Sequence, residues 1–514
     1  MHRFTFALLL AAFLAAPARA DDKPPALLVL LTVDQLRPDV LQRYRTEYTG
    51  GLKRLLEDGV VFAGEQAHAA TETGPGHSAL ATGCHPSKTG ISSNQWLDPK
   101  TGAPVYCVEQ KGAFVYGDSR KGRGPALQRR STLGDWMKAA NPRSRVVSVS
   151  AKDRAAVLMG GRDADGVYWY SKRAGRFTTS RHYARSAPPA WLAELSKGWF
   201  QRLPAQWTYT VSPLAEADER PGEDQTYAST TPHPVPAGRA KRARFVYYSP
   251  FIDDLTLKIA ERAINEHDLG TDGAPDLLCV SLSAVDTTGH RWGPFSQEVR
   301  DTLMRLDREL GRFLAMLDKR CKYRMAVGAD HGVLPLLKVK RVSAMQFHAR
   351  VATAVRNAVG DGKWLLANRS SLLVDHALAA KKGVDPSAIL AAAKKSLLAS
   401  PHIASVYLKE DLEGSETSDP VLSLLRHSVD PERSADLYFV PHPGVIISGY
   451  RSGTTHGSPY DHDRNIPVIF FGAGIGSGTG SRKIRSIDVA PTMAAWLGVT
   501  PAAGIDGQAV ALAR

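Results

Sequence analysis

Cysteine is scarce in this chain, with four residues among 514. So few cysteines cannot cross-link a chain of this length into a disulfide-rich scaffold, and their spacing matches neither a zinc ribbon nor a CxxC redox motif. They are Cys84, Cys107, Cys279 and Cys321. In an oxidising compartment they could form up to two disulfides in any of three pairings, although Cys279 lies in an apolar run where a buried thiol is equally expected.

Long apolar runs are missing after residue 20, so no later segment is predicted to cross a membrane. The first twenty residues differ. A short basic start precedes the apolar segment 6–16, and a small-x-small pattern ends at Ala20 before an acidic pair. This order is typical of a secretory signal peptide, and the apolar segment is short for a membrane anchor. We predict a signal peptide over 1–20, cleavage after Ala20, and a periplasmic or secreted protein without a stable membrane anchor.

Acidic residues are outnumbered, since 51 Asp and Glu face 65 Lys and Arg and the formal net charge is +14. The basic clusters are short, as at 239–244, and no nucleic-acid-binding motif accompanies them. Such clusters are usually solvated surface, but a positive field attracts anionic small molecules. A hydrophobic content of 43% excludes a mainly disordered chain. The oligomeric state is left open, and a monomer is compatible with the sequence.

Five apolar runs are typical of buried parallel strands, and helical patterns separate them. The runs are 26–33, 145–149, 277–282, 324–328 and 467–472, and the clearest helical pattern covers 296–319. This alternation predicts an α/β fold with a mostly parallel central sheet and helices on both faces. Two regions interrupt it, near 168–250 and near 334–451, the second with an Ala/Lys-rich helix near 377–398. We predict both as insertions into one domain over 21–514.

Carboxylate and imidazole side chains occur next to these predicted strands. They are Asp34, Asp286, His290, Asp330, His331 and His456. Because the carboxyl ends of parallel strands share one crevice, residues that follow different strands become neighbours. The four-residue spacing of Asp286 and His290 places both on one side of a helical turn. This donor set, which lacks thiolates, favours zinc, and six ligands suffice for two metal ions with an open position at each.

A second group of polar residues begins in the sequence TETGPGHSALATG. Thr73 precedes Gly-Pro-Gly and an Ala/Leu run, which predicts a loop leading into a helix whose free N–H groups could face an anion. An ordinary Thr N-cap would have the same pattern. Asn94, and Lys152 with Arg154 directly after the run 145–149, add donors and positive charge. Taken singly, they would equally fit a polar loop and a solvated basic pair.

The ordered motifs VDQLRPD, TETGPGHS, GISSNQW, SAKDRA, AVDTTGHRWGP, GADHG, GTTHG and IDVAPT make the sequence resemble the alkaline phosphatase superfamily. It most resembles the bacterial phosphate-irrepressible alkaline phosphatases that have a threonine nucleophile. The resemblance spans about residues 26–497. It implies an alkaline phosphatase-like catalytic domain that hydrolyses small-molecule phosphate monoesters through a phosphothreonine intermediate.

The resemblance also implies the roles of individual residues. One zinc ion would be held by Asp286, His290 and His456. A second would be held by Asp34, Asp330 and His331 together with the Thr73 oxygen, which makes two Zn²⁺ per chain. Asn94, Lys152 and Arg154 match the ligands of the phosphate oxygens. A threonine hydroxyl needs a dication to become a nucleophile near neutral pH, so the predicted metals and Thr73 depend on each other.

Three other functions are alternatives to phosphate monoester hydrolysis. The first is phosphodiester hydrolysis, as in the related phosphodiesterases and nucleotide pyrophosphatases, which lack the pair Lys152 and Arg154. A diester carries one charge and two free oxygens, so this pair favours the dianionic monoester. A sulfatase is suggested by CHPSK at 84–88, but its last residue is lysine and it follows the short helix. A non-catalytic phosphate-binding protein is the third possibility, and no member of the catalytic set is missing to support it.

Overall fold

A computed structural model describes residues 24–118, 122–214, 223, 231–414 and 417–512. The predicted signal peptide over 1–20 lies outside the described residues. Among the helices of the described residues, none combines the length and the apolar character that a membrane crossing needs.

The strands have the following bounds. They are β1 (Leu27–Val33), β2 (Val60–Glu65), β3 (Gln95–Leu97), β4 (Pro104–Tyr106), β5 (Val146–Ser150), β6 (Gly166–Ser171), β7 (Arg176–Thr178), β8 (Gln206–Trp207), β9 (His233–Pro234), β10 (Asp276–Leu282), β11 (Tyr323–Gly328), β12 (Lys340–Ser343), β13 (Leu365–Asn368), β14 (Ser371–Val374), β15 (Ile403–Leu408), β16 (Leu437–Pro441), β17 (Val445–Ser448), β18 (Asn465–Gly472), β19 (Gly478–Thr479) and β20 (Ile484–Arg485).

The α-helices alternate with these strands. They are α1 (Pro38–Arg43), α2 (Gly51–Asp58), α3 (Thr73–Thr82), α4 (Pro86–Thr89), α5 (Leu133–Ala140), α6 (Asp153–Gly160), α7 (Ala190–Gln201), α8 (Arg239–Tyr247), α9 (Phe251–Glu266), α10 (Ala284–Trp292), α11 (Gln297–Arg320), α12 (Ala344–Val359), α13 (His376–Lys382), α14 (Pro386–Leu398), α15 (Pro420–Ser428), α16 (Asp461–Arg464) and α17 (Val489–Ala495).

Ten of these strands form the main sheet, in the order β19, β2, β18, β11, β1, β10, β5, β6 and β7, with β20 beside β2. The inner strand β1 runs parallel to β10 and β11, and Leu31 lies opposite Val280 and Val327. All seven residues of β1 are buried, as expected for a strand covered by helices on both faces. The predicted mostly parallel α/β sheet is confirmed.

The direction of the strand predicted at 467–472 is wrong. β18 runs antiparallel to β11 and to β2, with Ile469 opposite Val327 and Val61. A continuous apolar run indicates burial on both faces but carries no information about direction. Because β18 is reversed, its first residues lie at the edge of the sheet where β1, β10 and β11 end. The loop that precedes β18 therefore reaches the same crevice as the loops that follow the parallel strands.

The region near 168–250 begins inside the main sheet. β6 pairs parallel with β5, and β7 pairs antiparallel with β6, so the predicted boundary near 168 falls within β6. Later in the region, Phe245 and Val246 of α8 are buried in the main hydrophobic core. At least these parts of the region belong to the body of the fold.

The region near 334–451 folds around a smaller core of its own. Strands β13, β14, β16 and β15 form a separate four-stranded sheet. Its core includes Phe347, Leu372, Leu437 and Phe439, which are buried apart from the main core. The Ala/Lys-rich segment near 377–398 forms two helices, because Gly383 ends α13 in the left-handed conformation and Pro386 begins α14.

All four cysteines are free thiols. Cys84, Cys107 and Cys279 are buried, whereas Cys321 is half-buried. The disulfides that the sequence allowed are not formed, and the buried-thiol interpretation of Cys279, which lies within β10, is confirmed.

Candidate active site

The candidate residues meet at the carboxyl edge of the main sheet. Asp34 directly follows β1, and Asp330 and His331 follow β11. Asp286 lies in the first turn of α10, immediately after β10, and Lys152 lies between β5 and α6. Each is placed there by a buried apolar strand that ends at this edge, which is the crevice expected for an open α/β sheet.

Two groups of side chains could each hold a metal ion. Asp34, Asp330 and His331 each offer one ligand atom, and these atoms lie within 4.8 Å of one another. Asp286, His331 and His456 do the same. The first group is the predicted one, whereas the second contains His331 where the prediction has His290. His331 therefore stands between the two groups, with its ring stacked on that of His456 at a centroid distance of 3.5 Å.

His290 nevertheless lies next to the second group. Its Nε2 atom is 3.1 Å from Oδ1 of Asp286, across one turn of α10. The ring centroids of His290 and His456 are 5.0 Å apart. The structure thus brings the six predicted side chains together. The prediction that Asp286 and His290 lie on the same face of one helix is confirmed.

The chemistry of these donors fits bound divalent cations. Asp34 Oδ1 and His331 Nε2 are buried without a hydrogen-bond partner among the described residues, and they lie 3.5 Å apart. The carboxylates of Asp34, Asp286 and Asp330 are buried beside one buried ammonium group, that of Lys152. Unbalanced buried negative charge is costly, and cations bound between these groups would balance it.

The pKa values follow from the same crowding. Burial, together with repulsion from the carboxylates of Asp286 and Asp330, raises the pKa of Asp34 well above its usual range. Burial lowers the pKa of His331 and lowers that of His456 further, with repulsion between the two rings adding to the effect at His456. Both imidazoles are therefore neutral at neutral pH, which is the form that binds a metal.

Thr73 is the first residue of α3, and its side chain does not cap the helix. Its Oγ1 atom accepts a hydrogen bond from Nη2 of Arg154 at 3.1 Å and another from Nζ of Lys152 at 3.4 Å. The Asn94 side chain accepts a hydrogen bond from the backbone N–H of Gly74 at 2.7 Å. The ordinary N-cap is therefore excluded for Thr73, whose hydroxyl faces the two cations.

Three residues that the sequence analysis did not single out support these groups. Gln35 joins two carboxylates, because its backbone N–H donates to Asp330 at 3.1 Å and its side chain donates to Asp286 at 2.8 Å. Glu72 accepts the backbone N–H of Asn94 at 2.9 Å. His77 bonds the Thr73 carbonyl at 2.8 Å. Their only signal in the sequence is that they lie in or beside the motifs that contain Asp34 and Thr73.

The sulfatase-like motif at 84–88 lies away from these groups. Cys84 follows the end of α3, is fully buried, and does not line the cavity that Lys152 and Arg154 line. Burial raises the pKa of its thiol. A buried thiol with a raised pKa is a poor nucleophile, so Cys84 is a packing residue.

The site opens into a cavity of about 570 Å³. Lys152, Arg154, Asp286 and His290 line its inner part, and further basic, aromatic and hydroxyl side chains line the rest. Asp286 is the one carboxylate among the described lining residues. The cavity is therefore suited to an anionic ligand.

Comparison with known proteins adds the following similarities. The sequence matches the family described as type I phosphodiesterase / nucleotide pyrophosphatase over residues 28–463. It is 34% identical to the alkaline phosphatase PhoK of Sphingomonas sp., over 95% of this chain and 91% of PhoK. It is 29% identical to the alkaline phosphatase PafA of Elizabethkingia meningoseptica, over 95% of this chain and 94% of PafA. The crystal structure of wild-type PafA matches with a TM-score of 0.87 and 28% identity, over 95% of this chain and 98% of that chain.

Proposed function

The chain belongs to the type I phosphodiesterase / nucleotide pyrophosphatase family, and we propose that it is an alkaline phosphatase that hydrolyses phosphate monoesters, like the relatives PhoK and PafA. The observation that carries the proposal is the setting of Thr73. Its hydroxyl oxygen faces the cations of Lys152 and Arg154 beside two groups of buried metal-ligand side chains. A nucleophile, anion-binding cations and metal ligands are thus within one crevice.

The proposed metals are two zinc ions. Asp34, Asp330 and His331 would hold one of them together with the Thr73 oxygen. Asp286, His290 and His456 would hold the other, with His331 close to both. Bound dications supply Lewis acidity, which lowers the pKa of a coordinated hydroxyl or water towards neutrality.

The protein residues then have distinct proposed roles. Lys152, Arg154 and Asn94 bind the oxygens of the phosphoryl group and orient the phosphorus atom towards Thr73. Oγ1 of Thr73 forms a bond to phosphorus while the bond to the leaving alcohol breaks, which produces phosphothreonine. Water then attacks the phosphothreonine and releases inorganic phosphate and the free hydroxyl of Thr73.

Phosphodiester hydrolysis is the second candidate, because the name of the matched family includes it. Charge favours the monoester. The monoester is a dianion with three terminal oxygens, whereas the diester is a monoanion with two, so two cations beside Thr73 match the monoester better. We expect any diesterase activity to be secondary.

The direct test is hydrolysis of p-nitrophenyl phosphate at alkaline pH, with and without a chelator. The wild-type protein should lose its turnover on chelation and regain it with Zn²⁺. Thr73→Ser should keep measurable turnover, whereas Thr73→Ala should lose it by at least about a thousandfold, because the nucleophile is gone. Ser78→Ala, in the same helix, is the control, since its buried hydroxyl has no hydrogen-bond partner among the described residues. Absence of any metal-dependent turnover would instead support a phosphate-binding protein.

We propose in addition that the protein is exported. The support is the basic, apolar and small-residue pattern over 1–20. N-terminal sequencing of the protein purified from its natural host should begin at Asp21. A mature chain that still begins at Met1 would contradict export by cleavage.

A further inference from the structure

A second set of cations lines the outer part of the active-site cavity. Lys172, Arg244 and Arg451 are exposed there, on three separate segments of the chain. None of the three has a carboxylate within ion-pair distance in the part of the chain that the structure describes. The proposed chemistry at Thr73 uses Lys152 and Arg154, so it leaves these three positive charges without a role.

Packing alone does not neutralise these charges. The ammonium of Lys172 lies 4.0 Å from the ring centroid of Tyr247, and the guanidinium of Arg244 lies 5.8 Å from that of Tyr248. The face of an aromatic ring attracts a cation but does not cancel its charge. The tyrosines therefore hold Lys172 and Arg244 at the cavity wall and leave both cations able to bind an anion.

Arg341, another basic residue of the same cavity, differs from these three because it has a structural role. The guanidinium of Arg341 donates to the backbone carbonyls of Tyr450 and Gly453, and burial lowers its pKa. It therefore fixes the loop that carries Arg451. No such hydrogen bond ties Lys172, Arg244 or Arg451 to the described residues.

The outer cations line the same cavity as the side of the site from which the alcohol would depart. Thr73 would bind the zinc ion held by Asp34, Asp330 and His331, so the alcohol would leave on the side of Asp286, His290 and His456. His290 lines the cavity together with Lys172, Arg244 and Arg451. Tyr247 lines it beside Lys152 and Arg154, and also contacts Lys172, so inner and outer cations are continuous. An alcohol leaving group would therefore extend towards a positively charged wall.

We propose that Lys172, Arg244 and Arg451 form a second anion subsite that favours phosphate monoesters whose leaving group carries a further phosphate. The proposal rests on the proposed function, since it names the substrate class of that same site. One phosphate would bind Lys152 and Arg154 next to Thr73, and the other would bind the outer cations. Charge-assisted contacts to phosphate provide the attraction.

The test compares α,ω-alkanediol bisphosphates of two to six carbons with the corresponding monophosphates. The wild-type ratio of kcat/KM, bisphosphate over monophosphate, should reach roughly twenty for at least one chain length, which is about ten times the factor of two expected from two equivalent phosphates. The triple variant Lys172→Gln, Arg244→Gln, Arg451→Gln should lower that ratio roughly tenfold, since each exposed charge pair is worth a factor of about two to five.

A charge-matched control separates the subsite from the overall field. The triple variant Lys197→Gln, Lys241→Gln, Lys381→Gln removes three exposed lysines that do not line the cavity. It should leave the ratio unchanged. The proposal is overturned if both triple variants lower the ratio equally, or if the first lowers kcat/KM for the two substrates by the same factor.

Measuring the binding of compounds that cannot be hydrolysed tests the subsite separately from the proposed phosphatase activity. Calorimetry with 1,4-butylene bisphosphonate and butylphosphonate, which cannot be hydrolysed, measures affinity in the zinc-loaded protein. A preference for the bisphosphonate that the Lys172, Arg244, Arg451 variant loses supports the subsite, even if p-nitrophenyl phosphate turnover fails and refutes the phosphatase. Equal affinities of the wild-type protein for the two compounds refute the subsite, even if turnover is normal.

Discussion

Lys152 joins the two halves of the candidate site. Its ammonium pairs with Asp34 and Asp286 and lies 3.4 Å from the Thr73 hydroxyl oxygen. Burial disfavours its charge, but the carboxylates of Asp286 and Asp34 outweigh burial and hold its pKa above the usual value. Lys152 therefore stays a cation throughout the neutral and alkaline range, where a dianionic ester is the substrate.

The positive charges of Lys152 and Arg154 predict a difference in rate between phosphate monoesters and diesters. Replacing Lys152 and Arg154 together by alanine should lower kcat/KM for p-nitrophenyl phosphate at least about a hundredfold more than for bis-p-nitrophenyl phosphate. The reason is that each lost contact to a charged oxygen is worth roughly 1.5–3 kcal/mol, and the diester has fewer charged oxygens. Equal losses on the monoester and the diester would show that the two cations do not select between them.

Individual residues of the site differ in how far the sequence could predict them. The proximity of Asp34, Asp330 and His331 was predictable, because all three follow strands that end at the same edge of the sheet. The proposed role of Thr73 came from the family resemblance and not from its position. The role of Gln35 was not predictable. Its bridge depends on a left-handed backbone conformation, with φ of 67°, and on carboxylates of Asp286 and Asp330 that are more than 250 residues away in sequence. No local pattern encodes such a contact.

At the scale of elements, helix α3 positions Thr73 by packing directly on the loop after β11. Gly76 makes this approach possible, since a Cβ atom there would lie 2.2 Å from the backbone oxygen of Asp330. Backbone atoms cannot move aside as a flexible side chain can. Because Gly76 has no side chain, the start of α3 packs directly against Asp330, and this contact fixes the position of Thr73 relative to Asp330.

Gly76→Ala should consequently impair both stability and catalysis. In an open helix position this substitution stabilises by about 0.8–1 kcal/mol, but here the clash should reverse the sign and cost roughly 1–3 kcal/mol. Displacement of Thr73 should lower kcat at least about tenfold. Urea unfolding and p-nitrophenyl phosphate kinetics measure the two effects, with Ser78→Ala as the control in the same helix. A Gly76→Ala protein that is more stable and fully active would contradict the close packing.

The start of α10 is held by a buried carboxylate on α9. Oδ1 of Asp253 accepts the backbone N–H groups of Ser283 and Ala284 at 2.7 and 3.0 Å, while Oδ2 is buried without a hydrogen-bond partner among the described residues. Burial raises the pKa of Asp253 to about 7, although the two N–H groups and Lys152 oppose the shift. The folded state therefore binds a proton more tightly than the unfolded chain.

This raised pKa predicts how stability depends on pH. Between about pH 4 and pH 7 the folded protein holds more protons at Asp253, so the contribution of this group to stability falls as pH rises, and is constant above pH 7. Asp253→Asn removes the titration and keeps an acceptor for α10. Its free energy of unfolding relative to wild type should rise by roughly 2–4 kcal/mol from pH 4 to pH 8. A difference in urea unfolding that does not change with pH would contradict the assignment.

The positions of the strands could be predicted from the sequence better than their directions in the sheet. The apolar runs of β1, β5, β10 and β11 located those strands because buried strands carry continuous apolar sequence. The residues of β18 do not by themselves determine that it runs antiparallel to its neighbours. It depends on the chain path between β17 and β18, and on pairing with β2 and β11.

Across the whole molecule, hydrophobic packing holds the described residues together without disulfide bonds, and two of the hydrophobic cores are the largest. The larger core surrounds the main sheet, and the smaller one lies between the four-stranded sheet and its helices. The alternation of strands and helices made the main sheet predictable. The boundary of the inserted region near 168–250 was not predictable. Strands β6 and β7 are short and contain aromatic residues, so their sequence resembles that of the segment that follows them.

The free thiols predict that reductants have no effect on stability. The melting temperature of the purified protein should be the same, within about 1 °C, with and without dithiothreitol, because no loop is closed by a disulfide. Burial raises the pKa of Cys84 and of Cys279, so neither should react with a thiol reagent until the protein unfolds. A fall of several degrees on reduction would show that disulfides form in the mature protein.

Two divalent cations are proposed to bind beside Thr73 and to act with it on a phosphate monoester. The decisive measurement is an anomalous-scattering map, recorded at the zinc edge from crystals soaked with zinc and phosphate. The map should contain two peaks, one among Asp34, Asp330 and His331 and one beside Asp286 and His456, with phosphate between them and Arg154. A map without peaks in these two groups, from crystals of protein that hydrolyses p-nitrophenyl phosphate, would contradict this proposal.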